Sequence, residues 1–196
     1  MEENILNSNN TKKLKIIIIG GVAAGTSAAA KARRTSEDAE IIIYEKYKYI
    51  SYATCGLPYF VSGKISDVSK LLVNTVNHFE KRFNIKVNVL HEVTAIDPDK
   101  KIINVKDLRT NKEFQDSYDK LIITTGSSQI SLNPEFENAD NVFSLRTIDD
   151  AIRLKEYINF LNNCSNSAEN EDKELKHTIN ALIIGGGYIG LELIEA

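Results

Sequence analysis

A glycine-rich segment near the amino end places the strongest constraint on the fold. Gly20-Gly-Val-Ala-Ala-Gly25 follows the β-branched run Lys15 to Ile19 and leads into an alanine-rich stretch, Ala23 to Arg34. Another apolar run, Glu40 to Glu45, comes next. Continuous apolar runs predict strands buried on both faces, and basic residues confined to the end of the alanine-rich stretch favour a helix there. Residues 15 to 45 therefore predict a strand, turn, helix and parallel strand.

The same segment predicts a dinucleotide site. In such a site the first glycine makes the tight turn, the last lets the helix pack on the strand, and the pyrophosphate binds amides at the helix N-terminus. Glu45 lies 20 residues after Gly25, where an acidic residue binds the ribose hydroxyls and favours an unphosphorylated ribose. Val22 stands at the middle glycine position. A tight turn of some other α/β sheet is the alternative.

A second glycine motif lies near the carboxyl end. Gly185-Gly-Gly-Tyr-Ile-Gly190 follows the apolar run Ala181 to Ile184, for which we predict a strand. Two such motifs indicate two dinucleotides, such as a flavin and a nicotinamide. Fewer residues follow than the roughly 30 of a complete unit, so we expect a chain cut within this domain. A glycine turn without function is the alternative.

Composition excludes several classes of function. The 24 Lys and Arg residues against 27 Asp and Glu give a net charge of −3, which predicts no nucleic-acid binding. No apolar run reaches the roughly 18 residues of a membrane span, and the amino end does not resemble a secretory signal. Cys55 and Cys164 are too few for a disulfide framework, so a cytoplasmic protein is predicted. His78, His91 and His177 share no metal-ligand spacing, so no metal is predicted.

Cys55 is a candidate nucleophile. It precedes a predicted short helix in Ser51-Tyr-Ala-Thr-Cys55-Gly-Leu-Pro-Tyr59, and a helix N-terminus favours the reactive thiolate. The positions five residues away on either side are Ile50 and Phe60, so Cys55 has no partner at that spacing. A lone redox cysteine cycles through a sulfenic acid, a persulfide or a mixed disulfide with an external thiol. A buried structural cysteine is the alternative.

The rest of the chain predicts further elements. We expect helices at Thr75 to Phe83 and Ala151 to Leu161, and a polar linker at Asn162 to Lys176. Strands are predicted at Ile85 to Val89, Glu92 to Ile96, Lys101 to Lys106 and Leu121 to Thr125. Asp97-Pro98-Asp99-Lys100 is typical of a turn.

Six segments carry a resemblance to a known family. They are GGVAAGTSAAAKARR, YEKYKYISYATCGLPYF, HEVTAIDPDKKI, YDKLIITTGSS, SLRT and GGGYIGLE. From about Lys15 to Ala196 the chain resembles the FAD-dependent pyridine nucleotide-disulfide oxidoreductases. It fits their single-cysteine branch of coenzyme A-disulfide reductases, persulfide reductases, and NADH oxidases and peroxidases. Cys-Gly-Leu-Pro-Tyr after a Ser-aromatic pair, together with Val22, favours the coenzyme A enzymes.

The resemblance implies an α/β fold. A Rossmann-like FAD-binding domain would contain a mostly parallel sheet and a small antiparallel insertion near 85 to 106. The first strand, turn and helix of a second Rossmann domain, for NAD(P), would follow. The expected boundaries are a disordered tail at 1–13, the FAD-binding domain at 14–161, a polar linker or loop at 162–178 and the truncated NAD(P)-binding start at 179–196.

The resemblance also implies residue roles. The FAD pyrophosphate would be held by Gly20, Gly21, Val22, Ala23, Ala24, Gly25 and Thr26. Other cofactor contacts would come from Glu45 and Lys46 at the ribose, the backbone of Val93 on the adenine side, Thr124, Thr125 and Gly126 in a second flavin turn, Arg146 beside the flavin, and Gly185, Gly187 and Gly190 at the nicotinamide nucleotide. Position 124 is usually Ala in the family. The coenzyme A contacts would be Ser27, Lys31, Arg34, Ser51 and Thr54. For Lys31 and Arg34, a solvated basic helix end is the alternative.

The function that the resemblance implies is the reduction of a disulfide or persulfide by NAD(P)H through FAD. Coenzyme A disulfide or a related small disulfide would be the substrate, and Cys55 would be the catalytic residue. The full-length enzyme would be a homodimer. An NADH oxidase or peroxidase that uses a Cys55 sulfenic acid is one alternative. A non-catalytic, truncated flavin-binding remnant is the other.

Overall fold

The computed structural model describes residues 13–130, 134–137, 139–167 and 180–195. The chain forms two compact units, the first from Met1–Ser51 and Asn74–Gly126 and the second from Tyr52–Val73 and Ser127–Ala196. The predicted tail lies outside the described residues except for Lys13. The predicted domain boundaries stay a prediction.

The described helices and strands follow the predicted alternation over the first part of the chain. In order they are β1 (Lys15–Ile19), α1 (Ala23–Thr35), β2 (Glu40–Glu45), α2 (Leu57–Val61), α3 (Val76–Phe83), β3 (Lys86–Val89), β4 (His91–Asp97), β5 (Ile102–Asp107), β6 (Glu113–Ser117), β7 (Lys120–Ile123), α4 (Pro134–Glu137), α5 (Ile148–Ser167) and α6 (Tyr188–Glu195). Two 3-10 turns lie at Thr54–Gly56 and Val68–Leu71. None of the described helices combines the length and apolar character needed to cross a bilayer.

A four-stranded sheet organises the first unit. Its order is β3-β2-β1-β7, and each neighbouring pair is parallel. Ile17 of β1 lies opposite Ile42 of β2 on one edge and opposite Leu121 of β7 on the other. The predicted strand, helix and parallel strand at residues 15 to 45 are therefore confirmed.

Both faces of β1 are covered, which explains its continuous isoleucine run. Ile16 and Ile18 pack with Ala29 of α1 in one hydrophobic cluster. Ile17 points to the opposite face and packs with Ile103 of β5 in another cluster. Alternate residues of a strand face opposite sides, so a strand buried on both sides needs apolar residues at every position. Full burial of each such side chain contributes about 1.5–3 kcal/mol.

The antiparallel sheet differs from the predicted insertion at both ends. β3 pairs in parallel with β2 and so belongs to the main sheet. The antiparallel sheet has the order β4-β5-β6. β6, with the sequence Glu-Phe-Gln-Asp-Ser, was not predicted because four of its five residues are exposed and the strand lacks an apolar alternation. Its pairing with β5, not its own composition, makes it a strand.

The second unit contains a helix that is longer than predicted. α5 begins after Thr147, whose hydroxyl accepts from the Asp150 amide at 3.2 Å while Asp150 Oδ2 accepts from the Thr147 amide at 2.8 Å. This reciprocal capping starts a helix that continues to Ser167. Residues 162–167, for which an irregular segment was predicted, therefore continue this helix, because extending an existing helix carries no new nucleation cost. Residues 168–178 of that linker lie outside the described residues.

The strand predicted at Ala181 to Ile184 is also wrong. Residues 180–186 have irregular backbone, and Leu182 and Ile184 are 87% and 70% exposed. A strand needs a hydrogen-bonded neighbour, and no described strand pairs with this segment. The helix predicted after it is present as α6.

Removal of a buried β1 side chain should destabilise the first unit. Ile17 is 0% exposed, so we expect Ile17→Ala to lower the free energy of unfolding by about 2–5 kcal/mol. Ile123 of β7 is 59% exposed, and Ile123→Ala should cost clearly less. Urea denaturation followed by circular dichroism measures both values. Equal losses in the two variants would contradict the assignment of β1 to the core.

Candidate functional site

The glycine-rich turn after β1 leaves no room for side chains at its two ends. Gly20 has a φ of +100°, and a Cβ on it would overlap the carbonyl oxygen of Thr124. A Cβ on Gly25 would overlap the carbonyl oxygen of Gly20. Glycine is therefore required at both positions. Val22 has a negative φ of −89°, so its backbone does not require the positive φ that favours glycine.

The first turn of α1 can accept an anionic group. Val22 is its N-cap and provides no side-chain cap, and the first turn contains no acidic residue. Within the turn, the Thr26 amide donates to the Val22 carbonyl at 3.4 Å. The amides at a helix start lack intrahelical partners and carry the positive end of the helix dipole. Ala23 and Ala24, both exposed, add no side chain that would block a phosphate.

Glu45 ends β2 beside this turn. Its residue exposure is 5%. Oε2 accepts from the Gly21 amide at 2.6 Å, and Oε1 accepts from the Tyr47 amide at 2.9 Å. Each carboxylate oxygen can accept a second hydrogen bond, so a role at the ribose stays a prediction.

Lys46 and Val93 lie on adjoining segments. Lys46 Nζ forms an ion pair with Glu92 Oε1 at 2.9 Å, and this hydrogen bond raises the pKa of Lys46 above its usual value. The side chain of Val93 packs against the cluster that contains Ile17. The predicted backbone contact of Val93 with the adenine stays a prediction.

The carboxyl end of β7 meets the same turn. Thr124 Oγ1 lies 2.7 Å from the Ile19 carbonyl oxygen and 3.0 Å from that of Gly20. Thr125 and Gly126 follow and are exposed. β2 lies on one side of β1 in the sheet and β7 lies on the other, so the strand order reverses direction at β1. Ligands of open α/β sheets bind at the carboxyl ends of the strands where the order reverses. The predicted nucleotide residues of β1, β2 and β7 therefore meet at one sheet edge.

The predicted coenzyme A contacts of the first unit fall into two places. Ser27, Lys31 and Arg34 are exposed and share one face of α1, at i, i+4 and i+7. Ser51 is buried with a φ of +46°, and its amide donates to the Gly21 carbonyl at 3.0 Å. Its hydroxyl accepts from Asn74 Nδ2 at 3.4 Å.

Cys55 is an exposed free thiol in the second unit. It lies within the 3-10 turn Thr54–Gly56, which runs directly into α2 with Pro58 in its first turn. A Cβ on Gly56 would lie 2.6 Å from Leu71 Cδ2, so this turn is packed closely on its inner side. The exposure of the thiol excludes the buried structural cysteine that the sequence left open.

A cleft of about 360 Å³ lies over Cys55 in the second unit. Thr54 and Arg146 line it, and their predicted roles at coenzyme A and beside the flavin stay predictions. Arg146 Nε donates to the Ser127 carbonyl at 3.1 Å. Tyr188 and Glu192 of α6 line it as well. These two residues were not predicted, because Tyr188 occupies a variable position of the glycine motif and no sequence spacing relates it to Cys55.

The second glycine turn repeats the internal geometry of the first. Gly185 has a φ of +114°, and a Cβ on Gly190 would overlap the Gly185 carbonyl oxygen. The positions of Gly185, Gly186 and Gly187 are otherwise open, with no atom within 4 Å of an added Cβ. Among the described residues, no group of three or more His, Cys, Asp or Glu side chains could hold a metal ion.

Comparison with known proteins extends over nearly the whole chain. The sequence pattern described as pyridine nucleotide-disulphide oxidoreductase matches residues 14–196. A coenzyme A disulfide reductase of Staphylococcus aureus (strain JH9) is 36% identical over 163 residues, which cover 83% of this chain and 33% of that protein. The chain thus spans about a third of the length of the curated relatives it matches.

Solved structures agree with the sequence matches. The reduced CoADR-RHD of Bacillus anthracis is 41% identical with a TM-score of 0.79, over 93% of this chain and 30% of that one. A water-forming NADH oxidase from Lactobacillus brevis, bound to NADH, is 31% identical with a TM-score of 0.78, over 93% of this chain and 37% of that one. The resemblance read from the six sequence segments is confirmed, and the chain belongs to the pyridine nucleotide-disulphide oxidoreductase family.

Proposed function

We propose that this chain is the FAD-binding part of an NAD(P)H-dependent oxidoreductase that reduces a disulfide or persulfide through Cys55. The preferred substrate is coenzyme A disulfide. The observation that carries the proposal is the free, exposed thiol of Cys55 in a cleft that contains no second cysteine among its described lining residues. The similarity to a coenzyme A disulfide reductase supports the choice of substrate.

The residues at the edge of the parallel sheet fit a dinucleotide. Backbone atoms occupy the space that a Cβ at Gly20 or Gly25 would fill. The turn is therefore compact, and α1 starts directly against β1. The amides of this turn would hold the pyrophosphate, and Glu45 would receive the ribose hydroxyls. The chemistry that a bound FAD supplies is two-electron reduction, with NAD(P)H as the electron donor.

Cys55 would carry the exchange with the substrate. Its thiolate attacks one sulfur of the disulfide, the sulfur–sulfur bond breaks, and the other half leaves as a thiolate that takes a proton from water. Cys55 is then joined to the retained half as a mixed disulfide. A second cysteine is not required for this step. Arg146, which also lines the cleft, would place a positive charge near the departing thiolate.

The basic face of α1 would bind the acidic part of the substrate. Lys31 and Arg34 are exposed, and their side chains make no ion pair with the other described residues. Arg33 differs, since its Nε donates to the Phe83 carbonyl at 2.9 Å and it ties α1 to the end of α3. Coenzyme A carries phosphate groups, for which free Lys and Arg side chains are suitable partners.

A different electron acceptor is the second candidate. The similarity to a water-forming NADH oxidase and the lone thiol are compatible with a Cys55 sulfenic acid and with peroxide or oxygen as the acceptor. A non-catalytic flavin-binding role is the third. Comparison of acceptors separates the first two, and loss of activity on substitution of Cys55 separates both from the third.

Gly25→Ala should weaken FAD binding by at least tenfold, because the added Cβ displaces the Gly20 carbonyl. Titration of the chain with FAD, followed by the quenching of flavin fluorescence, measures the dissociation constant. Ala29→Gly is the matched control. Ala29 is buried in the same helix, so replacing it with glycine destabilises α1 without changing the turn. The affinity of this control for FAD should therefore stay within twofold of the unaltered chain. Equal losses in both variants would point to general instability.

Cys55→Ser should bind FAD normally and abolish reduction of coenzyme A disulfide, because serine cannot form the mixed disulfide. The measurement is NAD(P)H consumption by the protein that contains this chain. Cys164→Ser is the control, since Cys164 is exposed on α5 and does not line the cleft over Cys55. More than a trace of disulfide turnover in Cys55→Ser would refute the proposed mechanism.

Coenzyme A disulfide should be reduced faster than hydrogen peroxide or oxygen in the same protein. Arg34→Gln should raise the KM for coenzyme A disulfide several-fold, because it removes a phosphate partner, and should leave the rate with peroxide unchanged. Steady-state rates with each acceptor decide the order. Faster turnover with peroxide would favour the oxidase or peroxidase alternative.

A further inference from the structure

The peptide group between Gly20 and Gly21 is held from its N–H side by Glu45. The Gly21 amide donates to Glu45 Oε2 at 2.6 Å, a short bond between a backbone amide and a carboxylate. Glu45 Oε1 is held in turn by the Tyr47 amide at 2.9 Å, so the carboxylate cannot rotate freely. The orientation of the Gly21 amide is therefore tied to the end of β2.

The same peptide group is held from its carbonyl side by Thr124. The Thr124 amide already donates to the Ile19 carbonyl at 2.8 Å, as the parallel pairing requires. The Thr124 hydroxyl lies 2.7 Å from that carbonyl and 3.0 Å from the Gly20 carbonyl, and its one proton can serve either. The hydroxyl thus continues the hydrogen bonding of β7 beyond the end of β1, from Ile19 to Gly20. The Gly20 carbonyl is also the group that lies against Gly25.

We propose that Thr124 and Glu45 are positioning residues that clamp the Gly20–Gly21 peptide from both sides and so pre-orient the amides of the turn for a dinucleotide pyrophosphate. This inference rests on the proposed FAD binding. It differs from the role implied by the family resemblance, in which Thr124 belongs to a turn that contacts the flavin. The Thr124 hydroxyl acts on the turn and not on the flavin ring.

The clamp matters because of the two adjacent glycines. Gly20 adopts a φ of +100°, and glycine peptides rotate more freely than any other. An unclamped turn would have to be ordered when the ligand binds, and this ordering reduces affinity. A clamp on both polar groups of the peptide removes that cost before the ligand arrives.

The test uses Thr124→Val, which keeps the side-chain shape and removes the hydroxyl, and Thr124→Ser, which keeps the hydroxyl. The probes are FAD and ADP, because ADP contains the pyrophosphate and ribose but no flavin ring. Thr124→Val should weaken both ligands by the same factor, about fivefold to tenfold. Thr124→Ser should stay within twofold for both. Isothermal titration calorimetry of the chain measures the affinities. Thermal unfolding of each variant is compared with that of Ala29→Gly, so that a loss of affinity caused only by lower stability is recognised.

Glu45→Gln tests the other side of the clamp. The amide side chain offers one acceptor oxygen where the carboxylate offers two, so one of the two backbone amides loses its partner. Because both residues act on one peptide, the double variant should lose less affinity for ADP than the product of the two single losses. Strictly multiplicative losses would show that they act independently and would overturn the clamp.

The remaining outcomes separate the clamp from the proposed function. A loss for FAD alone in Thr124→Val would assign Thr124 to the flavin ring and overturn the clamp. Unchanged affinity for both ligands would overturn it as well, while leaving FAD binding intact. Failure of the unaltered chain to bind either FAD or ADP would overturn the proposed FAD site together with the clamp.

Discussion

The parallel pairing of β1 on both of its edges is the constraint on which the first unit depends. β2 and β7 bind its two edges, and separate hydrophobic clusters cover its two faces. A strand enclosed in this way has one register, because a shift of one residue would exchange its two faces. That register brings Gly20, Glu45 and Thr124 to the same edge of the sheet, and the proposed nucleotide site rests on this placement.

The two glycine turns show how much of the turn geometry is local. In both turns the first glycine, Gly20 or Gly185, has a positive φ. In both, the carbonyl oxygen of that glycine lies close to the last glycine, Gly25 or Gly190. The first turn is held closely, with Thr124 against Gly20 and Glu45 bonded to Gly21, whereas an added Cβ at Gly185, Gly186 or Gly187 would meet no described atom within 4 Å. The motif alone makes the turn, whereas the sheet around it provides the contacts that hold the turn in one orientation.

The predictable parts of the fold are those with a strong local signal. β1, α1 and β2 were predicted closely because apolar runs and an alanine-rich segment define them without reference to other elements. β6 was missed because its residues are polar and only pairing with β5 orders them. The prediction for residues 181–184 was wrong for the opposite reason. The segment is apolar, but it forms no strand because no strand among the described residues pairs with it.

The glycine turn, the lone cysteine near a helix start and the membership of the family can all be inferred from residue type and spacing. These depend on residue type and spacing within short segments, which the chain order states directly. Tertiary structure alone decided the exposure of Cys55, the parallel placement of β3, and the hydrogen bonds of Glu45 and Thr124 to the turn. The Thr124 hydroxyl and the Gly20 carbonyl are separated by 104 residues, and only the register of β7 against β1 brings them within bonding distance.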